Sequence, residues 1–231
     1  MVPPQLPPRA KIRVPLGRFA LGGSLGVPEK AKGLVLMGLG SGGSPGARNT
    51  DLAATLERSG FATLLFDLLT DEEKARGPLA SGFRFDVDRL AERWSRLTDW
   101  VGKNESTAPL PLGYFASSTG ASGALVSAAR HPRTVAGVVS RGGRPDLAGP
   151  ALARVRAPTL LIVGEQDSSL RTLNEHAQTR LSAPSRLVVV PGTSEQLREA
   201  AAAEHISGLA SSWFDYCFQK PPEETGVSPR P

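Results

Sequence analysis

Six short apolar runs limit what this chain can fold into: 33–38, 62–68, 112–116, 135–140, 159–164 and 186–190. Each is rich in Val, Leu, Ile or Phe and is bounded by Gly, Pro or polar residues. A strand with one wet face would alternate apolar and polar side chains. Unbroken runs suit strands covered on both faces, as in a parallel sheet. Two further runs, 11–16 and 19–25, precede them and read as a hairpin turning around Gly17.

Helical periodicity fills the gaps. The stretch 49–59 carries Leu52, Ala53 and Leu56 and stops at Gly60, and 85–101 carries Leu90, Trp94, Leu97 and Val101. The segment 118–129 is small and apolar, 170–181 is amphipathic, and 195–218 predicts a closing helix in one piece or two. Strands alternating with helices imply right-handed crossovers, so the expected fold is α/β: a mostly parallel eight-stranded sheet with helices on both faces.

The 231 residues suffice for one domain with a sizeable core, expected over 10–219. Proline-rich ends, 1–9 and 220–231, are expected to be flexible. The formal charge is +5, yet Arg84, Arg89, Arg93 and Arg96 are interleaved with Asp86, Asp88 and Glu92. That pattern reads as a solvated helix face with i,i+4 pairs, and no nucleic-acid partner is expected. The lone Cys217 excludes an internal disulfide and reads as a buried thiol. With no leader-like start and no 18-residue apolar run, no membrane association and a cytoplasmic location are expected.

Gly38-Leu39-Gly40-Ser41-Gly42-Gly43 fits the dinucleotide fingerprint, and Asp67 ends the next run. In that fingerprint the glycines lead straight into a helix whose N-terminus receives the pyrophosphate. Here Ser44-Pro45-Gly46 intervenes, and no Gly-Lys-Ser/Thr follows. No cofactor and no metal is expected; the expected partner is a small-molecule substrate or ligand.

The strand ending at Ala116 and the helix beginning near Ala121 leave only Ser117 to Gly120 for the join. Ala116-Ser117-Ser118-Thr119-Gly120 places small residues two before and two after Ser118, as a nucleophile elbow requires where the backbone crowds itself. The helix N-terminus would lie beneath Ser118, and the Thr119 N–H would be one oxyanion donor. A plain Ser/Thr helix cap is the alternative.

From about Lys32 to Phe218 the chain resembles the dienelactone-hydrolase-like branch of the α/β-hydrolases. The similarity is carried by Gly40-Ser41-Gly42, the run 62–70, the elbow, 139–148 and 157–167. The resemblance implies Ser118 as nucleophile, Asp167 as the acid and a second oxyanion donor near Ser41. It also implies histidine at two positions that hold other residues. Leu39 stands in the substrate-facing glycine loop, and Pro191-Gly192-Thr193-Ser194-Glu195 puts Glu195 at the base position.

A glutamate is weaker as a base than imidazole by about two pKa units at reference values. Beside Asp167 its pKa would rise, since neighbouring carboxylates share a proton. Of the three histidines, His131 ends the elbow helix as a cationic cap, His176 follows Asp167 on a polar face, and His205 is the substitute base if the closing helix breaks. Arg141 and Arg144, just past a strand end, either bind a substrate carboxylate or shape the loop, with Asp146 capping the next helix. The polar stretch 70–83 is a flap or an ordinary loop. Three functions stay open: a serine-type hydrolase of an ester, lactone or related carbonyl with an atypical base, a pseudohydrolase that binds or regulates, and a lyase or cyclase using the same pocket.

Overall fold

A computed structural model of the protein describes residues 8–17, 19–39, 47–76, 81–193 and 200–219. Eight strands form one sheet: β1 (Ala10–Leu16), β2 (Phe19–Gly26), β3 (Leu34–Leu39), β4 (Ala62–Asp67), β5 (Leu112–Ser118), β6 (Val135–Gly143), β7 (Thr159–Gly164) and β8 (Ser185–Val190). Their order across the sheet is β1-β2-β4-β3-β5-β6-β7-β8. The β1–β2 and β2–β4 pairs are antiparallel, and every other pair is parallel. The expected hairpin and mostly parallel sheet are both present.

The unbroken apolar runs have the cause their pattern suggested. Every residue of β4 and β7 is buried, and successive side chains enter opposite layers. Leu34, Leu36, Leu64, Phe66, Tyr114 and Val138 face one cluster with α4 (Val87–Val101) and α5 (Gly120–Arg130). Val35, Met37, Leu65, Phe115 and Val139 face the other, with α1 (Ala47–Arg58) and α7 (Ala200–Gln219). A buried side chain of this size contributes roughly 1.5–3 kcal/mol, so two-sided burial is what holds each strand in the sheet.

Some boundaries moved. The stretch 85–101 divides at Asp86, whose side chain caps α4 by accepting from the Arg89 N–H at 3.0 Å. The polar stretch 70–83 contains α2 (Asp71–Ala75) and the start of α3 (Ser81–Phe85); residues 77–80 lie outside the described residues. Thr70 and Glu73 form a reciprocal capping box at the start of α2, which satisfies two otherwise unpaired N–H groups. The last helix, expected from 195, is a single described helix from Ala200. Residues 194–199 and the two flexible-end assignments, apart from residues 8 and 9, fall outside the described residues.

One expectation failed outright. Arg93 is not on a solvated face: it is 6% exposed, and its guanidinium donates to the Leu68 carbonyl and, at 2.6 Å, to Glu73. Arg96 does form the expected i,i+4 pair with Glu92, at 2.7 Å. Cys217 is buried, as expected. No helix among the described residues is long and apolar enough to cross a membrane.

Candidate active site

The chain runs from β3 to β4 in one direction across the sheet, and from β5 onward in the other. Between β3 and β5 the order reverses, which opens a crevice at the strands' carboxyl ends where α/β sheets bind ligands. Ser118 is the last residue of β5, and Leu39 is the last of β3, paired with Ser117 on one side and Asp67 on the other. β3 therefore ends next to the Ser117–Ser118 turn.

Ser118 has φ +52°, the only positive value at a non-glycine residue among the described residues. Left-handed backbone at a residue with a Cβ is strained by roughly 1–3 kcal/mol, and such strain collects at functional turns. The strand passes through Ser118 and Thr119 directly into α5 at Gly120, with Ala116 wholly buried beneath the turn. Thr119 occupies the N-cap position of α5, but its side chain makes no cap hydrogen bond. The Ser118 carbonyl accepts the Arg144 N–H at 3.0 Å, and Ser118 is in register with Gly143 of β6. Gly143 has to be glycine: an added Cβ would collide with the Ser140 hydroxyl and lie 2.6 Å from the Ala121 Cβ.

Asp167 follows β7, two strands from β5. One carboxylate oxygen accepts the Leu170 N–H at 2.8 Å and caps α6 (Ser168–Arg180). The neighbouring turn after β8 is fastened to it. The Gln166 N–H donates to the Thr193 carbonyl at 3.1 Å, the Gly192 N–H to Glu165 at 2.8 Å, and the Thr193 hydroxyl to the Val190 carbonyl at 2.7 Å. Thr193, two positions before Glu195, is thus held beside the residue preceding Asp167. Glu195 itself and Ser41 lie outside the described residues, as does the side chain of Leu39.

The other named residues divide. Arg141 is half-buried in β6, 3.5 Å from the Asn49 amide oxygen and with its guanidinium over the Phe115 ring. Arg144 is bound in bidentate fashion to Asp146, at 2.9 and 2.8 Å, and these hydrogen bonds raise its pKa above the usual arginine value. Asp146 therefore pairs with Arg144 and does not cap the 3₁₀ segment Pro145–Arg154. His205 is exposed on α7 between buried Ala202 and Ile206, and no hydrogen bond joins it to Ser118 among the described residues. His176 is exposed on α6. His131 is the C-cap of α5, its ring nitrogen 2.9 Å from the Ser127 carbonyl. No cluster of His, Cys, Asp and Glu among the described residues could hold a metal ion.

Two features escaped the sequence. Asn174 lies in the stripe Leu170–Asn174–Ala177, and an amide at the centre of an apolar stripe was the available signal. The group Asp67, Glu73, Lys74 and Arg93 surrounds the exit of β4, with the capping-box pair Thr70 and Glu73 as its only visible trace.

A sharp left-handed turn carrying a serine from a central strand into a helix, at the switch point of an eight-stranded sheet with this order, defines an α/β-hydrolase. The comparisons with known proteins narrow this. A dienelactone hydrolase from Anabaena variabilis is 44% identical; the match covers 92% of this chain and 99% of that one, with a TM-score of 0.89. The chain belongs to the dienelactone-hydrolase family. Est1E from Butyrivibrio proteoclasticus (13% identical, TM-score 0.73, 91% of this chain and 99% of that one) shares the fold. So does a dienelactone hydrolase-like promiscuous phosphotriesterase from metagenomic libraries (15%, TM-score 0.73, 90% and 98%). A provisionally named phosphoribosyl transferase of Mycobacterium tuberculosis is 45% identical over 205 residues, which is 88% of this chain but only 45% of that protein. The chain thus spans about half the length of the curated relatives it matches. No family model matches the chain.

Proposed function

We propose that the chain is a serine-dependent hydrolase of an ester, lactone or related carbonyl compound, with Ser118 as nucleophile. The observation that carries this reading is the φ of +52° at Ser118, strain that a mere strand-to-helix connection would not need. The Ser118 hydroxyl oxygen attacks the carbonyl carbon while its proton passes to the base, and the carbonyl oxygen becomes an oxyanion. Backbone N–H groups of Thr119 and of the segment at Ser41 receive that charge. The tetrahedral centre collapses, the alcohol leaves with the base's proton, and water then releases the acid from Ser118. A lactone gives one ring-opened product by the same steps, and the dienelactone hydrolase relative supports that substrate class.

Glu195 takes the base position and Asp167 the acid position of this scheme. Arg141, on the carboxyl rim of the sheet, holds a carboxylate on the substrate; Arg144, already paired with Asp146, shapes the rim. An activated fluorophosphonate is expected to label Ser118, and Ser118→Ala to abolish both labelling and ester cleavage. Cleavage that persists at the parental rate in Ser118→Ala rules this mechanism out.

A second reading rests on Glu195 itself, because a carboxylate at its ordinary pKa activates serine poorly. In that reading the pocket binds without turning over. It predicts no labelling of the parent protein and a gain of labelling in Glu195→His. The name of the longer mycobacterial relatives supplies a counter-assay. Consumption of a phosphoribosyl donor by this chain, in place of ester cleavage, would contradict the hydrolase reading.

A further inference from the structure

Asn174 is wholly buried in α6, one turn beyond the residue that Asp167 caps. Its amide nitrogen donates twice, to the Leu170 carbonyl at 2.9 Å and to the Gly143 carbonyl at 3.1 Å. Among the described residues its amide oxygen is buried with no hydrogen-bond partner. A buried acceptor left unpaired is unfavourable, and a leucine of similar size would fill the space without it, at the loss of the donor to the Gly143 carbonyl. Filling space therefore does not explain the amide.

Its two bonds explain it better. Gly143 is the residue in register with Ser118, and the next residue, Arg144, donates its N–H to the Ser118 carbonyl. Leu170 donates its N–H to Asp167. One side chain thus bridges the turn that carries Asp167 and the strand residue that flanks Ser118. Gly143 sits close against the elbow helix, since a Cβ built there would lie 2.6 Å from the Ala121 Cβ.

We infer that Asn174 is a positioning residue that fixes the Asp167-bearing end of α6 to the Ser118 elbow. This rests on the reading of Ser118 and Asp167 as members of one site. The separation of the two matters because displacements near 1 Å in such constellations lower rates by about a hundredfold.

The test compares Asn174→Leu, which keeps the size and removes both donors, with Ala177→Gly, a control in the same buried stripe; Asn174→Ala replaces the leucine variant if that does not fold. Three quantities are measured on the full chain: the fluorophosphonate labelling rate of Ser118, kcat and KM on an activated ester, and amide exchange at Leu170 and Arg144. In the Asn174 variant, labelling and kcat fall on the order of tenfold or more while KM holds. Both amides exchange faster together. The control keeps parental labelling and parental exchange at these two amides despite its own loss of stability. Parental kcat and protection in the Asn174 variant, or losses in both variants that track stability alone, overturn the inference. If the parent is never labelled, the nucleophile reading fails separately and the exchange data decide: coupled loss of protection at Leu170 and Arg144 supports the tether, and unchanged protection overturns it.

Discussion

The two flanks of the elbow are held by different chemistry. On the β4 side the fastening is ionic: Arg93 reaches the Leu68 carbonyl and Glu73, Arg89 reaches Glu73 at 3.2 Å, and Lys74 reaches buried Asp67 at 3.1 Å. On the β6–β8 side the bonds at the elbow are neutral and largely main-chain: Asn174 to Gly143, Arg144 N–H to Ser118, Gln166 N–H to Thr193. Farther out, the Glu165 and Asp167 carboxylates accept the Gly192 and Leu170 N–H groups, and Arg144 pairs with Asp146. A buried charge needs its partner and loses badly when orphaned, while a neutral hydrogen bond lost from a main-chain lattice is a smaller event. The structure places the buried ion pairs behind the β4 exit and holds the Asp167 turn mainly through main-chain N–H groups.

Breaking the ionic flank should have the largest effect on stability. Arg93→Ala leaves Glu73 poorly compensated and is expected to lose about 3–5 kcal/mol in denaturant unfolding. A loss under 1 kcal/mol would mean the cluster is better hydrated than its burial indicates. On the neutral flank, Gly143→Ala forces a Cβ against Ser140 and Ala121 and should destabilise by about 1–3 kcal/mol, with slower Ser118 labelling as the sharper readout. Thr70→Ala removes half of the capping box on the ionic flank, for about 1 kcal/mol by thermal melting.

Acid should separate the flanks more gently. Burial raises the pKa of Glu73, but hydrogen bonds from Arg93, the Thr70 N–H and Arg89, with the charge of Arg93, outweigh it and leave the carboxyl below its ordinary value. A group lowered in the folded state contributes stability that is present above its unfolded pKa and disappears as pH falls through the folded one. Stability should therefore decline below the ordinary carboxylate range, and Glu73→Gln should flatten that decline. Equal slopes for parent and variant would remove Glu73 from the account. The smallest effect belongs to the exposed Arg171–Glu175 pair on α6, where Arg171→Ala should change stability by no more than about 0.5 kcal/mol.

What the sequence disclosed followed physical causes strong enough to mark it. Two-sided burial wrote β3 to β7 as apolar runs, and the crowding of the elbow wrote Ala116 and Gly120 as small residues around Ser118. What stayed hidden was set by contacts between distant segments. Arg93 occupies the same stripe as Leu90, Trp94 and Leu97, yet its charge argued for solvent, and Glu73 and Leu68, 20 and 25 positions away, bring it inside. The extension of β5 from Ala116 to Ser118 depends on β6 continuing to Gly143, a pairing that no local pattern records. Arg144 reads from sequence as a substrate-binding or loop-shaping residue and Asp146 as a helix cap, whereas at a separation of two residues they satisfy each other.

The sheet also partitions the molecule as a heritable object. Because β3 to β7 bury side chains in two separate clusters, α1 and α7 share one and the elbow helix α5 belongs to the other. Changes far apart with no shared neighbours add independently. Substitutions on the α1–α7 face that do not touch Phe115 or Val139 can therefore vary with little effect on Ala116 and α5 beneath Ser118, and a protein engineer can use the same freedom.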